Sequence, residues 1–259
     1  MVDSIKFVVA PDFAPQRMPC LQIFSTLLSK HSGVSVQQTL AMAPDEVEEA
    51  IKKGGVDLIY CNPFLALELY EKYGFVPVLR PVGKEACDDV VIFAAAEGNL
   101  KALSDIKPGM KATCPGNLGV KTVSKFMDKK LNLNLNFETS DNLQQAIQKV
   151  LRGEADFGLY LHQTFDDLSN LAKSRLTVLD KTDLTEMGYG VIRRVLLMNP
   201  KDADKVELTT KVVLGFKGHP DAGEMLENLR VKDGFEAITQ EMAVETIAKL
   251  KEMQAIANG

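Results

Sequence analysis

Short apolar runs alternate with helical segments through the first third of the chain, and this alternation limits the fold more than any other feature. Ile5 to Ala10 reads as a β-branched strand, and Leu21, Phe24, Leu27 and Leu28 have the spacing of a helix face that stops at Gly33. Pro19 suits the first turn of that helix, because its missing N–H would be unpaired there anyway. Val34 to Leu40 reads as a second strand. Pro44-Asp45 opens a helix carrying Val47, Ala50 and Ile51, and Val56 to Tyr60 is a third strand. Asn62 is a natural N-cap, with Pro63 the first residue of the next helix. Strand–helix repeats of this kind imply a parallel sheet with right-handed crossovers.

The middle of the chain repeats the theme. Strands are expected at Val90 to Ala96, Met110 to Cys114, Asn134 to Glu138 and Ala155 to Leu161, with helices at Leu100 to Ile106, from Gly119 to about Leu131, and at Asp141 to Leu151. A late strand covers Val191 to Met198, and the remainder reads as mainly helical. The strands at 90–96 and 191–198 bracket the middle section and are read as crossovers between lobes. The expected architecture is α/β with two lobes, each a mainly parallel sheet flanked by helices. Lobe 1 is residues 1–90 plus 196–259 and lobe 2 is residues 91–195.

Composition narrows the function classes. A net charge of −5 argues against nucleic acid or an anionic membrane as partner, since both reward clustered Lys and Arg. No window reaches the apolar length of a transmembrane helix. The start, Met1-Val2-Asp3-Ser4, runs straight into a strand without a signal-like segment, so the protein is expected either to be cytosolic or to have lost a signal or anchor. The four cysteines have neither the density of a disulfide scaffold nor a CxxC zinc spacing, and no catalytic triad or HExxH signature is present.

In open α/β sheets ligands gather beyond the carboxyl ends of the strands, where helix N-termini present unpaired N–H groups. Here those junctions are Phe13 to Cys20, Tyr60 to Pro63, Cys114 to Gly119 and Tyr160 to Thr164. Candidate ligand contacts are therefore Phe13, Arg17, Cys20, Tyr60, Cys61, Asn62, Cys87, Cys114, Gly116, Asn117, Tyr160 and His162. Cys20, Cys61 and Cys114 all fall at junctions, where a thiol can become a better nucleophile or soft-metal ligand; small buried core residues are the competing reading. His162 could bond a ligand oxygen or simply cap a strand end. Arg17 could neutralise an anion through a bidentate contact. Of Arg193-Arg194, at most one can face the same side of a strand. His31, at a helix end, and His219, in a Gly-His-Pro turn, receive no role.

The order of segments resembles the phosphate/phosphonate/phosphite-binding proteins of bacterial ABC importers. The likeness runs through Pro19-Cys20-Leu21, Gly54-Gly55-Val56-Asp57-Leu58 with Asn62-Pro63-Phe64, Leu103 to Lys111, Gly153 to Gly158 and Asp233-Gly234-Phe235. This resemblance implies the type II periplasmic binding fold, a periplasmic or extracytoplasmic location, no catalytic residues and no cofactor. It implies as partners a small-molecule or oxyanion ligand and either an ABC permease or a sensor histidine kinase, with the chain itself a monomer. One departure concerns the ligand: the family's hydroxyl-rich Ser-Thr-Ser-Gly loop appears here as Gly116-Asn117-Leu118-Gly119, and its hinge-strand tyrosine is replaced in the region of Cys87-Asp88.

The reading is thus a non-enzymatic solute-binding or ligand-sensing protein that closes on a small ligand between its lobes. The ligand is an oxyanion such as phosphate or phosphonate, or a soft, thiol-reactive species. Two alternatives stay open: a cytosolic enzyme on the same fold using a cleft cysteine, and a metal-binding protein using cysteines with His162.

Overall fold

The computed structural model describes residues 2–11, 13, 17–83, 90–190 and 194–259. Contacts divide the chain into two compact units, Met1–Cys87 with Arg193–Thr246, and Asp88–Ile192 with Ile247–Gly259.

The first unit contains β1 (Ser4–Val9), α1 (Met18–Ser32), β2 (Ser35–Leu40), α2 (Pro44–Lys52), β3 (Leu58–Cys61), α3 (Pro63–Tyr73) and β4 (Val76–Pro81). The second contains β5 (Val90–Ala96), β6 (Lys111–Pro115), α4 (Leu118–Lys130), β7 (Asn136–Ser140), α5 (Leu143–Leu151), β8 (Phe157–Leu161), α6 (His162–Asp166), α7 (Asn170–Lys173) and β9 (Leu176–Asp183). The chain then returns to the first unit with β10 (Val195–Met198), α8 (Ala203–Leu214), α9 (Gly223–Asn228) and β11 (Phe235–Ala237) before α10 (Gln240–Asn258). The sequence reading gave 196–259 to the first lobe as one block. In the structure the later turns of α10, from Ile247, group with the second unit.

The six strands of the first sheet run in the order β11-β4-β10-β3-β1-β2. β1 pairs in parallel with β2 and β3, whereas β10 is antiparallel to both β3 and β4, and β11 is antiparallel to β4. The second sheet, β7-β6-β8-β5-β9, has the same character: β6 is parallel to β7 and β8, and β5 is antiparallel to β8 and β9. Both sheets are mixed rather than mainly parallel. The βαβ crossovers read from the sequence are parallel; the antiparallel pairs come from β4, β9 and β11, which periodicity did not reveal, and from the two long-range strands β5 and β10.

Central strands are apolar on both faces, as β3 (Leu-Ile-Tyr-Cys) and β5 (Val-Val-Ile-Phe-Ala-Ala-Ala) require, while β2 at the edge is half exposed. On one face of the first sheet Ile5, Phe7, Val9, Leu58 and Tyr60 pack with Leu21, Phe24 and Leu28 of α1 and with Phe216 and Phe235. The predicted helix at Leu100 to Ile106 is only a 3-10 turn over Leu103–Asp105. There the Asp105 carboxylate accepts from the backbone N–H groups of Lys101 and Ala102 at 2.8 and 3.1 Å, and Pro108 prevents continuation.

Candidate functional site

In the first unit the site elements gather where β1 and β3 end. Phe13 follows β1, and its ring lies 4.8 Å from that of Tyr60 on β3. The Arg194 guanidinium, immediately before β10, sits 4.8 Å over the Phe13 ring. This places a cation against an aromatic face at a strand-end surface. Arg17 is buried at 5 % exposure one residue before α1. Asn62 caps α3, its side-chain oxygen accepting from the N–H groups of Phe64 and Leu65 at 2.9 Å each. Arg194 was passed over in the sequence reading because it came as one of a pair. Strand alternation says only that at most one of the two can face a given side, and not which.

In the second unit the corresponding junctions are the ends of β6, β7 and β8. Asn117 caps α4, accepting from Val120 N–H at 2.9 Å. The Leu118 and Gly119 amides belong to the first turn, outside the intrahelical ladder. Gly116 and Asn117 are exposed. Gly116 must be glycine for a packing reason. Its N–H donates to Ser140 carbonyl at 2.7 Å, and a Cβ there would stand 2.9 Å from that same backbone oxygen. The Ser140 hydroxyl is 3.0 Å from the Thr113 hydroxyl, so β6 and β7 end in a hydrogen-bonded pair. Ser140 was not among the predicted site residues, although a hydroxyl at the last position of a strand was a signal that could have found it. His162 is the first residue of α6 and lies 3.1 Å from the Asp166 carboxylate one turn on.

The structure puts the cysteines elsewhere than on an open surface. Cys20, Cys61 and Cys114 are buried, at 8, 0 and 1 % exposure. Cys20 packs in the core cluster with Tyr60. Cys61, the next residue along β3, projects to the opposite face of the sheet, so these two thiols do not form a pair. Burial pushes the Cys114 thiol above its ordinary range, against the pull of a hydrogen bond with Ser124 and of Lys121 and Lys125. Desolvation therefore outweighs the hydrogen bond and the two lysines. Cys87 lies outside the described residues.

Tyr160 is fully buried beside Ile92, Ala94, Ala146, Ile147 and Phe165, and its phenol is shifted upward by burial first and by Cys114 second. Its hydroxyl has no hydrogen-bond partner among the described residues. The ring lies over Gly158, where a Cβ would be 2.0 Å from the phenol oxygen.

Two open α/β units, each presenting helix N-termini and polar groups at the carboxyl ends of its parallel strands, have the fold class of type II periplasmic binding proteins. Within that class the chain belongs to the family of ABC transporter, phosphonate, periplasmic substrate-binding proteins, whose model matches residues 7–243. No curated protein matches it. Among solved structures, it is similar to PhnD1 from Prochlorococcus marinus (MIT 9301) in complex with methylphosphonate, at 12% identity and a TM-score of 0.78, covering 99% of this chain and 98% of that one. A binding protein component of an ABC phosphonate transporter from Pseudomonas aeruginosa matches at 12% identity and a TM-score of 0.71, over 99% and 97% of the two chains. The periplasmic aliphatic sulphonate binding protein SsuA from Escherichia coli matches at 15% identity and a TM-score of 0.61, over 100% and 78%. At these identities the likenesses establish the fold. The family is a substrate-binding class, which implies a small-molecule ligand and a permease partner. Among the described residues no helix is long and apolar enough to cross a membrane.

Proposed function

We propose that the chain is the extracytoplasmic solute-binding component of an importer, that it takes a small tetrahedral oxyanion of the phosphonate, phosphate or sulfonate kind, and that it does so as a monomer without converting the ligand. The observation that carries this reading is the Arg194 guanidinium stacked on Phe13, at the strand-end surface of a chain whose net charge is −5. A cation held against an aromatic ring is a preorganised donor for an oxyanion. On the second unit, the exposed Gly116-Asn117 turn supplies first-turn amides in place of the hydroxyls that family members carry there. A ligand recognised by groups from both units favours the state in which both sets of contacts are made, which is the physical content of hinge closure. Burial of Cys20, Cys61 and Cys114 favours this version over a soft, thiol-bound ligand.

The test is calorimetric titration with methylphosphonate, phosphate and methanesulfonate. One of them is expected to bind stoichiometrically, to lower the radius of gyration, and to be recovered unchanged. Arg194→Ala should weaken that ligand by about tenfold to hundredfold, the value of a charge-assisted hydrogen bond. Failure of all three to bind at millimolar concentration, or full affinity in Arg194→Ala, would overturn the proposal.

A further inference from the structure

A second cluster of the first unit lies far from that unit's own strand-end junctions. His31 occupies the last turn of α1, whose N-terminus is at the end of β1; fifteen helical residues put His31 about 20 Å away, at the other end of the sheet. His31 faces His219, with ring centroids 4.4 Å apart and planes at 65°. One donor atom each from His31, His219 and Asp221 lies within 4.8 Å of the others. We infer that these three side chains form a surface site for a borderline divalent transition-metal ion of the Zn2+ kind, independent of the oxyanion surface.

Two imidazoles and a carboxylate are the donor set such an ion prefers, and three protein ligands leave a fourth position for water. Tetrahedral coordination brings donors to about 3.3 Å apart at zinc bond lengths of about 2.0 Å, so side-chain rotations close the remaining gap. The framework beneath is fixed. Gly33 N–H bonds Ser29 carbonyl at 3.0 Å to finish α1, and the turn bearing His219 is held by His219 N–H to Phe216 carbonyl at 3.1 Å and Ala222 N–H to His219 carbonyl at 3.0 Å. Phe216, buried, supports the His31 ring edge at 6.4 Å between centroids. His219 Nδ1 accepts the Asp221 N–H at 3.2 Å, which identifies Nδ1 as the nitrogen with the lone pair; coordination there exchanges one long hydrogen bond for a metal bond.

Lys30 is the competitor. Its ammonium holds one Asp221 oxygen at 2.6 Å and keeps that carboxyl below its usual range. Both side chains are exposed, at 61 and 44 %, so the ammonium can swing into solvent when an ion arrives. An arriving ion must displace it from this oxygen or use the other one. That rivalry makes the site distinguishable from adventitious capture by thiols or scattered carboxylates.

The experiment titrates the full chain with Zn2+ in phosphate-free buffer, following heat and competition with a chromogenic chelator. One equivalent is expected to bind, raising the melting temperature. His31→Gln and His219→Gln should each weaken it at least about tenfold, since loss of even an outer partner of a metal ligand has effects of that size. Lys30→Gln should tighten it. Absence of binding at millimolar Zn2+, or unchanged affinity in the double variant of His31→Gln with His219→Gln, overturns the site. Unchanged affinity in Asp221→Asn removes Asp221 from the ligand set and overturns the three-ligand geometry. Melting in EDTA shows that each variant folds, and oxyanion binding is read separately, so loss of one site is not mistaken for loss of the other.

Discussion

Tyr160→Phe should stabilise the protein. The side chain is completely buried in an apolar cluster, and its hydroxyl has no partner among the described residues. A buried hydroxyl left unpaired costs about 1–3 kcal/mol in lost hydration, and replacing it with hydrogen abolishes that cost. Against this stand the contacts of one oxygen atom, several pairs at about 0.1–0.2 kcal/mol each, so the loss is below about 1 kcal/mol. The net expectation is a gain of roughly 0.5–2 kcal/mol. The phenol ring stays over Gly158, whose missing Cβ makes room for it, so the backbone need not move. Urea unfolding monitored by circular dichroism would read this as a higher midpoint at unchanged slope. A loss of about 1 kcal/mol or more at unchanged slope would mean that the hydroxyl is satisfied, and the reasoning from an orphaned donor would fail. Oxyanion affinity measured on the same variant separates a core role for Tyr160 from a ligand contact: core packing leaves it unchanged.

Asn62→Ala removes the oxygen that accepts from both Phe64 and Leu65 N–H and should cost about 1 kcal/mol of stability, read by the same urea midpoint, whereas Asn62→Asp should retain most of it. The Cys114 thiol, raised by burial, stays protonated in the fold while the unfolded chain ionises it in the ordinary range near 9.0. Stability from this group is therefore present below that range and lost as pH rises through it, and native Cys114 should be alkylated by iodoacetamide far more slowly than in urea at the same pH.

Much of the fold was legible because local signals and tertiary structure agree along the parallel βαβ segments. Asn62 caps α3 through its side chain, Pro44 opens α2 as a first-turn proline, and Gly33 ends α1 with φ of 74°. Among the antiparallel strands, β5 and β10 were legible, whereas β4, β9 and β11 were not. Val76–Pro81 contains two prolines and Phe235–Ala237 is three residues long, so neither carries a strand pattern that stands apart from a loop. For the candidate site, sequence located the junctions but not the direction of side chains. Cys20, Cys61 and Cys114 fall at the predicted junctions, but which face a strand-end residue takes depends on register, and that is fixed by partners distant in sequence. His31 and His219 carried no signal at all, being 188 positions apart, with only the folded chain bringing them together.

The position of β10 has a consequence for how such a chain matures. This strand lies between β3 and β4, pairing Val195 with Cys61 and Leu196 with Leu79, yet it is made only after all five strands of the second sheet. A ribosome that has released residues up to Pro81 has delivered both neighbours of β10 without the strand that joins them, leaving two apolar edges exposed. The second sheet, whose five strands lie between Val90 and Asp183, can assemble while those edges wait. The first sheet is begun first and finished last, so chaperone demand should peak in the interval before Val195 to Met198 emerges.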